Sequence, residues 1–216
     1  MLHFVVLLSA LYTGLIVSAD YPLEFQTQVQ NYPHIIHSKE QCLPRKGSYE
    51  HAQTYVCDPN LLLTVNQINR LNSLLKEFRT SDRGIAECNP NNPTPIIAIA
   101  LVNKLKVGNK DPDRLLNYAS VFAYYLFNEW NLPSNCHTGS DKVMIFYSKD
   151  DGVLYTFAGN LLEHKLTSEN LVQIAIQARD PFSEGIYEGL TYVIQRYRDT
   201  IRSGRLSFFG ANRYEK

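Results

Sequence analysis

Residues 96–102 read IIAIALV, an apolar run with no polar residue inside it. A run that is apolar at every position is typical of a strand buried on both faces, because a solvent-exposed face would show polar residues at alternate positions. Strands of this kind lie inside largely parallel sheets that carry helices on both faces. The run therefore predicts a central strand of such a sheet.

Two patterns precede this strand in the chain. Residues 55–57 form a short run, Tyr-Val-Cys, that predicts a first strand. Thr64 and Gln67 then fit a capping box, in which the Gln side chain reaches back to the Thr amide. Apolar residues recur at helical spacing from there to Phe78, so we expect a helix between the first two strands.

The patterns after the central strand continue the alternation. Asp111 and Pro112 provide an N-cap and a first helical residue for a second helix. Residues 143–147 and 153–158 predict two further strands, joined by an Asp-Asp-Gly hairpin turn at residues 150–152. Two more helical patterns complete the order β-α-β-α-β-β-α-α. This order predicts an α/β fold with a mixed, mostly parallel sheet and helices on both faces.

The chain divides into four segments by composition. Residues 1–19 are mostly apolar and end in Val-Ser-Ala, which predicts a secretory signal peptide cleaved after Ala19; an uncleaved anchor is the alternative. Residues 20–54 are polar and proline-containing, and they predict an extended, irregular N-terminal arm. Residues 55–202 form the folded domain, and residues 203–216 a flexible tail. No later apolar run reaches the roughly 18 residues of a membrane span, so we expect a secreted, extracellular protein.

Composition excludes some classes of partner. The 216 residues include 21 Lys and Arg against 21 Asp and Glu, giving a formal net charge of zero. Nucleic-acid binding needs a surplus of basic residues, so we expect no nucleic-acid partner. A hydrophobic content of 44% is enough for a globular core, which argues against intrinsic disorder.

The four cysteines predict two disulfides. Cys42, Cys57, Cys88 and Cys136 all follow the predicted leader, and an exported chain meets oxidising conditions. Three connectivities are possible for four cysteines, and no C-x2-C pair indicates zinc. Cys42 and Cys57 flank the entry to the domain, while Cys88 and Cys136 precede two strands that we expect to be parallel neighbours. We therefore predict the pairs Cys42–Cys57 and Cys88–Cys136.

Catalytic signatures are missing from the sequence. It contains no nucleophile elbow, phosphate-binding loop, dinucleotide fingerprint or zinc-protease motif. Asp58, Asp141 and Asp151 lie next to predicted strands, and their carboxylates could bind calcium; turn formation is the alternative role. His34 and His37 form an H-x-x-H pair whose alternatives are a solvated pair and a metal site. We expect no cofactor, with calcium as the one metal to consider.

Several motifs together resemble a known family. The chain has, in order, YVCDPNLL at residues 55–62, LFNEWNL at 126–132, DKVMIF at 141–146 and FSEGIYEGL at 182–190. These stretches resemble the TPM domain, a family named for a thylakoid lumen protein, a photosystem repair protein and the modulator of the levamisole receptor. The cysteines at 57 and 136 are similar to those of the animal branch, the levamisole-receptor modulators.

The resemblance implies two kinds of function. The animal branch implies a non-enzymatic accessory protein of an acetylcholine-gated channel, whose partner is the ectodomain of that ligand-gated channel or of another surface receptor. The plant and bacterial branches imply instead a metal-dependent phosphatase, which here would use Asp58, Asp141 and Asp151. A secreted structural protein without a channel role is the third alternative. The first is our leading prediction.

Overall fold

A four-stranded sheet forms the centre of the computed structural model, which describes residues 21–44, 54–80, 95–108, 111–134, 136 and 139–203. The predicted signal peptide and residues 204–216 of the predicted tail lie outside these residues. The strands, in their order across the sheet, are β1 (Val56–Cys57), β2 (Ile96–Val102), β3 (Lys142–Ser148) and β4 (Val153–Ala158). The first three are parallel and β4 is antiparallel to β3. The predicted mixed, mostly parallel sheet is confirmed.

Helices account for most of the remaining described residues. They are α1 (Leu23–Gln30), α2 (Lys39–Cys42), α3 (Val65–Thr80), α4 (Pro112–Glu129), α5 (Ser168–Gln177), α6 (Arg179–Glu184) and α7 (Ile186–Ser203). No helix within the described ranges combines the length and apolar character needed to cross a bilayer.

Helices cover both faces of the sheet. Every residue of β2 and β3 is buried, as the uninterrupted apolar run of β2 predicts. Phe146 of β3 stacks on Phe122 of α4, with ring centroids 4.7 Å apart. The next residue, Tyr147, points to the opposite face because side chains alternate along a strand, and there it stacks on Phe182 of α6 at 4.4 Å.

The helix starts follow the capping residues in the sequence. The Gln67 side chain accepts a hydrogen bond from the Thr64 amide at 2.9 Å, and the Thr64 hydroxyl accepts one from the Gln67 amide, so the predicted capping box is present. Pro112 is the first residue of α4, directly after the N-cap Asp111. These polar side chains satisfy backbone donors that the first helical turn leaves without intrahelical partners.

The predicted irregular arm needs a correction. Residues 23–30 of the 20–54 segment form α1, and its Phe25 and Val29 are completely buried. The Phe25 ring lies 4.8 Å from that of Tyr118 and 6.2 Å from that of Phe122, both on α4. Only these two residues, one turn apart, are buried; the rest of the helix is polar except for the exposed Leu23. Such a narrow apolar stripe gives a weak sequence signal, and packing on α4 supplies the missing stabilisation.

A disulfide joins the N-terminal region to the sheet. Cys42 at the end of α2 is bonded to Cys57 at the end of β1, with Cα atoms 4.4 Å apart, so this predicted pair is confirmed. The Asp58 amide also donates to the Cys42 carbonyl oxygen at 2.8 Å. Cys136 is disulfide-bonded, but Cys88 lies outside the described residues, and their pairing stays a prediction.

Candidate functional site

The carboxyl ends of the parallel strands carry a polar cluster. In open α/β sheets, ligands bind where the parallel strands end, so this edge is the first place to look for a site. Hydrogen bonds connect several of the polar residues that follow or end β1, β2 and β3 here. These residues will be called the carboxyl-edge cluster: Asp58, Asn60, Asn103, Ser148, Asp150 and Asp151.

Asp58 organises the turn that leaves β1. Its side chain is almost fully buried, at 1% exposure. One carboxylate oxygen accepts from the Leu62 amide at 2.9 Å, and the other accepts from the Leu63 amide at 2.8 Å. Leu61, inside this turn, has a positive φ of 58°, a conformation that is costly for a branched side chain. The carboxylate therefore holds a strained turn between β1 and α3.

Asparagine side chains link the ends of three strands. The Asn60 side-chain oxygen accepts from the Asn103 amide at 3.0 Å. The Asn103 side-chain amide in turn donates to an Asp150 carboxylate oxygen at 3.1 Å, and the Asp150 amide donates to the Asn103 carbonyl oxygen at 2.8 Å. These bonds fix the loops after β1, β2 and β3 relative to one another.

Asp151 holds the loop after β2 against the β3–β4 turn. One of its carboxylate oxygens accepts from the Leu105 amide at 2.7 Å and from the Ser148 hydroxyl at 2.6 Å. The other oxygen is buried and has no hydrogen-bond partner among the described residues. A carboxylate oxygen has lone pairs that can accept a further donor.

The hydroxyl of Tyr32, just after α1, forms hydrogen bonds with both β1 and β2. This group accepts from the Leu101 amide at 2.9 Å, and the Cys57 and Leu101 carbonyl oxygens lie within 3.0 Å and 2.9 Å as acceptors. Burial raises the pKa of Tyr32 well above its usual value; the Leu101 hydrogen bond lowers that pKa, and the negative charge of Asp58 adds to the rise. Sequence reasoning missed Tyr32, because no local pattern places a tyrosine hydroxyl between two strands.

Asp141 lies at the opposite, amino-terminal edge of the sheet. Its carboxylate accepts a hydrogen bond from the Ser134 hydroxyl, and its carbonyl oxygen accepts from the Ile96 amide at 2.9 Å. The neighbouring Lys142 ammonium donates to the Phe127 carbonyl oxygen at 3.1 Å and lies 4.7 Å from the centre of the Phe127 ring. Burial lowers the pKa of Lys142, and the charge of Asp141 counteracts this effect.

The structure therefore does not bring together the three carboxylates considered for calcium. Asp58 and Asp151 are at the carboxyl edge, whereas β3 separates them from Asp141 by about 20 Å at 3.3 Å per residue. Calcium binds oxygen ligands at roughly 2.3–2.6 Å, so one cation cannot contact all three side chains. Within the described ranges, no group of three or more His, Cys, Asp or Glu residues is placed to hold a metal ion.

The His34 side chain has a structural role in the turn after α1. The His34 Nδ1 atom accepts from the Ile36 and His37 amides at 3.1 Å and 3.2 Å, and its Nε2 atom lies 3.0 Å from the Glu129 carbonyl oxygen. This geometry fits a neutral imidazole that donates through Nε2. Both ring nitrogens are occupied by protein groups, so the ring ties the turn to the end of α4.

The fold is that of an α/β domain, and the polar residues of its carboxyl-edge cluster mainly hold loops in place. Residues 27–152, more than half of the chain, match the family described as modulator of levamisole receptor-1, and the protein belongs to that family. The predicted kinship with levamisole-receptor modulators is confirmed; the wider TPM grouping stays a prediction.

Other comparisons add little to this family match. No curated protein matches the chain. The solution structure of the N-terminal domain of a P. gingivalis protein is similar at 18% identity and a TM-score of 0.47, over 67% of this chain and 79% of that one.

Proposed function

We propose that this protein is a secreted, non-enzymatic TPM-like binding module that modulates an acetylcholine-gated, levamisole-type ion channel by contacting the channel's ectodomain. The observation that carries the proposal is the family match over residues 27–152. A modulator of such a channel can act by binding one gating state more tightly than another, and this mechanism requires no catalytic group.

The Cys42–Cys57 disulfide supports an extracellular location. Disulfides persist in oxidising compartments and are rare in the reducing cytosol. The ectodomain of a surface channel is exposed to the same compartment. The apolar leader at residues 1–19 agrees with export, and cleavage after Ala19 is part of the proposal.

The placement of the acidic residues favours binding over catalysis. Asp58 and Asp151 each accept hydrogen bonds from two donors that fix loops, and Asp141 lies at the other edge of the sheet. The phosphatase alternative required these three side chains at one metal. Because no observation favours that arrangement, we propose no second function.

Co-expression with a levamisole-type channel tests the proposal. The channel subunits are expressed in oocytes with and without the full chain, and the agonist-evoked current is recorded over a range of agonist concentrations. We expect the chain to change the maximal current or the half-maximal agonist concentration. Pull-down of the channel ectodomain with the chain then tests direct contact.

The control uses the same chain without residues 2–19, which should stay inside the cell and leave the current unchanged. Purified chain added to the bath of oocytes that express only the channel should reproduce the effect of co-expression. Unchanged currents in both the co-expression and the bath experiments, with the chain detected in the medium, would refute a modulatory role.

A further inference from the structure

Strand β4 forms an edge of the sheet, and no strand lies beyond it within the described residues. All six of its residues are partly exposed, in contrast to the fully buried β3 beside it. Its sequence, VLYTFA, has no charge and no proline. Natural edge strands are usually protected against pairing by lysine, proline, a bulge or a covering element. β4 has neither of the two protective residues, and no further strand pairs with it in the described part of the chain.

The hydrogen bonds of β3 show which groups of β4 point outward. The Lys149 amide, directly after β3, donates to the Val102 carbonyl oxygen of β2. The Lys142 carbonyl oxygen, by contrast, accepts from the Gly159 amide on the β4 side. The backbone N–H and C=O groups of successive residues point to opposite sides of a strand. The residues of β3 that direct these groups toward β4 are therefore those opposite Val153, Tyr155 and Phe157, and they form hydrogen bonds with these three residues.

The intervening residues therefore direct their backbone groups away from the sheet. The amides and carbonyl oxygens of Leu154, Thr156 and Ala158 face outward, and none of these groups has a hydrogen-bond partner within the described ranges. Six unpaired backbone groups in register are a template for one more antiparallel strand.

We infer that this edge binds a second copy of the chain, with β4 pairing antiparallel to β4 across a two-fold axis at Thr156. In this register Thr156 lies opposite its own equivalent, and Leu154 lies opposite Ala158 of the second copy. The outward groups of the two strands would then form about six backbone hydrogen bonds. The two four-stranded sheets would become one continuous sheet.

In this register the side chains of β4 are complementary to those of β4 in the second copy. Tyr155 lies opposite Phe157 of the second copy, and the same pair repeats across the axis; aromatic cross-strand pairs stabilise antiparallel sheets. Tyr124 of α4 is 47% exposed and lies 5.2 Å from the Phe157 ring, so it extends the apolar surface at the junction.

Charge also favours a second copy as the occupant. No residue of β4 is charged, so no like charges oppose one another across the axis. The whole chain has a formal net charge of zero, and two copies approach without net repulsion. This inference does not depend on channel binding.

Sedimentation equilibrium of the purified full chain over a range of concentrations tests the dimer. We expect a reversible monomer–dimer equilibrium. Ala158→Pro removes one outward amide and leaves the bonds to β3 in place, so it should raise the dimer dissociation constant by at least about tenfold. Val172→Lys is the matched control, since Val172 is 56% exposed on α5, away from β4, and its substitution should leave the constant unchanged.

Amide hydrogen exchange gives a second measurement on the same samples. The amides of Leu154 and Thr156 should exchange slowly at dimer concentrations and fast on dilution. If Ala158→Pro fails to fold, Tyr155→Lys replaces it, because a lysine opposite Phe157 of the second copy disrupts the pairing without removing a backbone donor.

Three outcomes would overturn the inference. The first is a wild-type chain that stays monomeric at every concentration with fast exchange at Leu154 and Thr156. The second is a dimer that Val172→Lys weakens and the β4 variants do not. The third is a monomer whose effect on channel current is abolished by Ala158→Pro, because the edge would then bind a strand of the channel.

Discussion

Replacing Tyr32 by phenylalanine tests the role of a single hydroxyl between two strands. The substitution keeps the ring, which stacks on Trp130 at 6.1 Å and contacts Phe122 edge-on at 5.2 Å. It leaves the buried Leu101 amide without an acceptor, which costs about 1–3 kcal/mol, and it removes one donated hydrogen bond worth about 1 kcal/mol. We therefore expect the free energy of unfolding to fall by about 2–4 kcal/mol.

Urea unfolding followed by circular dichroism measures this loss directly. For a chain of this size, the same loss corresponds to a decrease in Tm of about 4–16 °C. Tyr124→Phe is the matched control, because Tyr124 is 47% exposed and its substitution should change the free energy by less than about 0.5 kcal/mol. A Tyr32→Phe variant as stable as the control would show that the bridging hydroxyl contributes nothing, contrary to our reasoning.

The pH dependence of stability gives a second test of Tyr32. Burial raises the pKa of Tyr32 above the unfolded value of about 10. A raised folded-state pKa means that the folded protein favours the protonated hydroxyl. The contribution of the Tyr32 hydroxyl to the free energy of unfolding is therefore fully present below about pH 10, and it is lost as the pH rises above that value. The wild-type chain should therefore lose stability in alkali more steeply than Tyr32→Phe, and parallel curves would contradict this expectation.

Three further substitutions test other parts of the fold, all by urea unfolding. Gly159→Ala places a Cβ against a neighbouring backbone carbonyl and should cost about 1–3 kcal/mol, whereas Gly108→Ala, which meets nothing within 4 Å, should be neutral or slightly stabilising. Replacing Cys42 and Cys57 together by alanine opens the disulfide loop and should cost about 3 kcal/mol; reducing agent should cost the wild-type chain more, because it also opens the disulfide of Cys136. Asp58→Asn removes one of two carboxylate acceptors and should cost about 1–2 kcal/mol; an unchanged midpoint would show that the turn after β1 does not need both.

The central sheet was predictable because its signals are local. The bounds of β2 agree with the apolar run at residues 96–102, and α4 begins at the proline that follows its N-cap Asp111. Strand burial and helix capping each depend on a few consecutive residues, so they leave a readable pattern. The capping box at Thr64 is another example.

Features that depend on distant contacts left no such pattern. Helix α1 is stabilised by the packing of Phe25 on α4, and the Tyr32 hydroxyl acts on β1 and β2, far along the chain. The separation of the carboxylates did follow from the topology. Asp58 comes after a parallel strand and Asp141 comes before one, so the common strand direction places them at opposite edges of the sheet.

Helix α1 also affects where this domain can be cut for expression or for grafting onto another protein. The family match begins at residue 27, between the two core residues Phe25 and Val29. A fragment that begins at residue 27 or at residue 55 would expose the aromatic surface of α4 that Phe25 covers. Exposed patches of this kind promote aggregation. Fragments intended to fold alone should therefore begin no later than Tyr21, and aggregation of a shorter one would say nothing about channel binding.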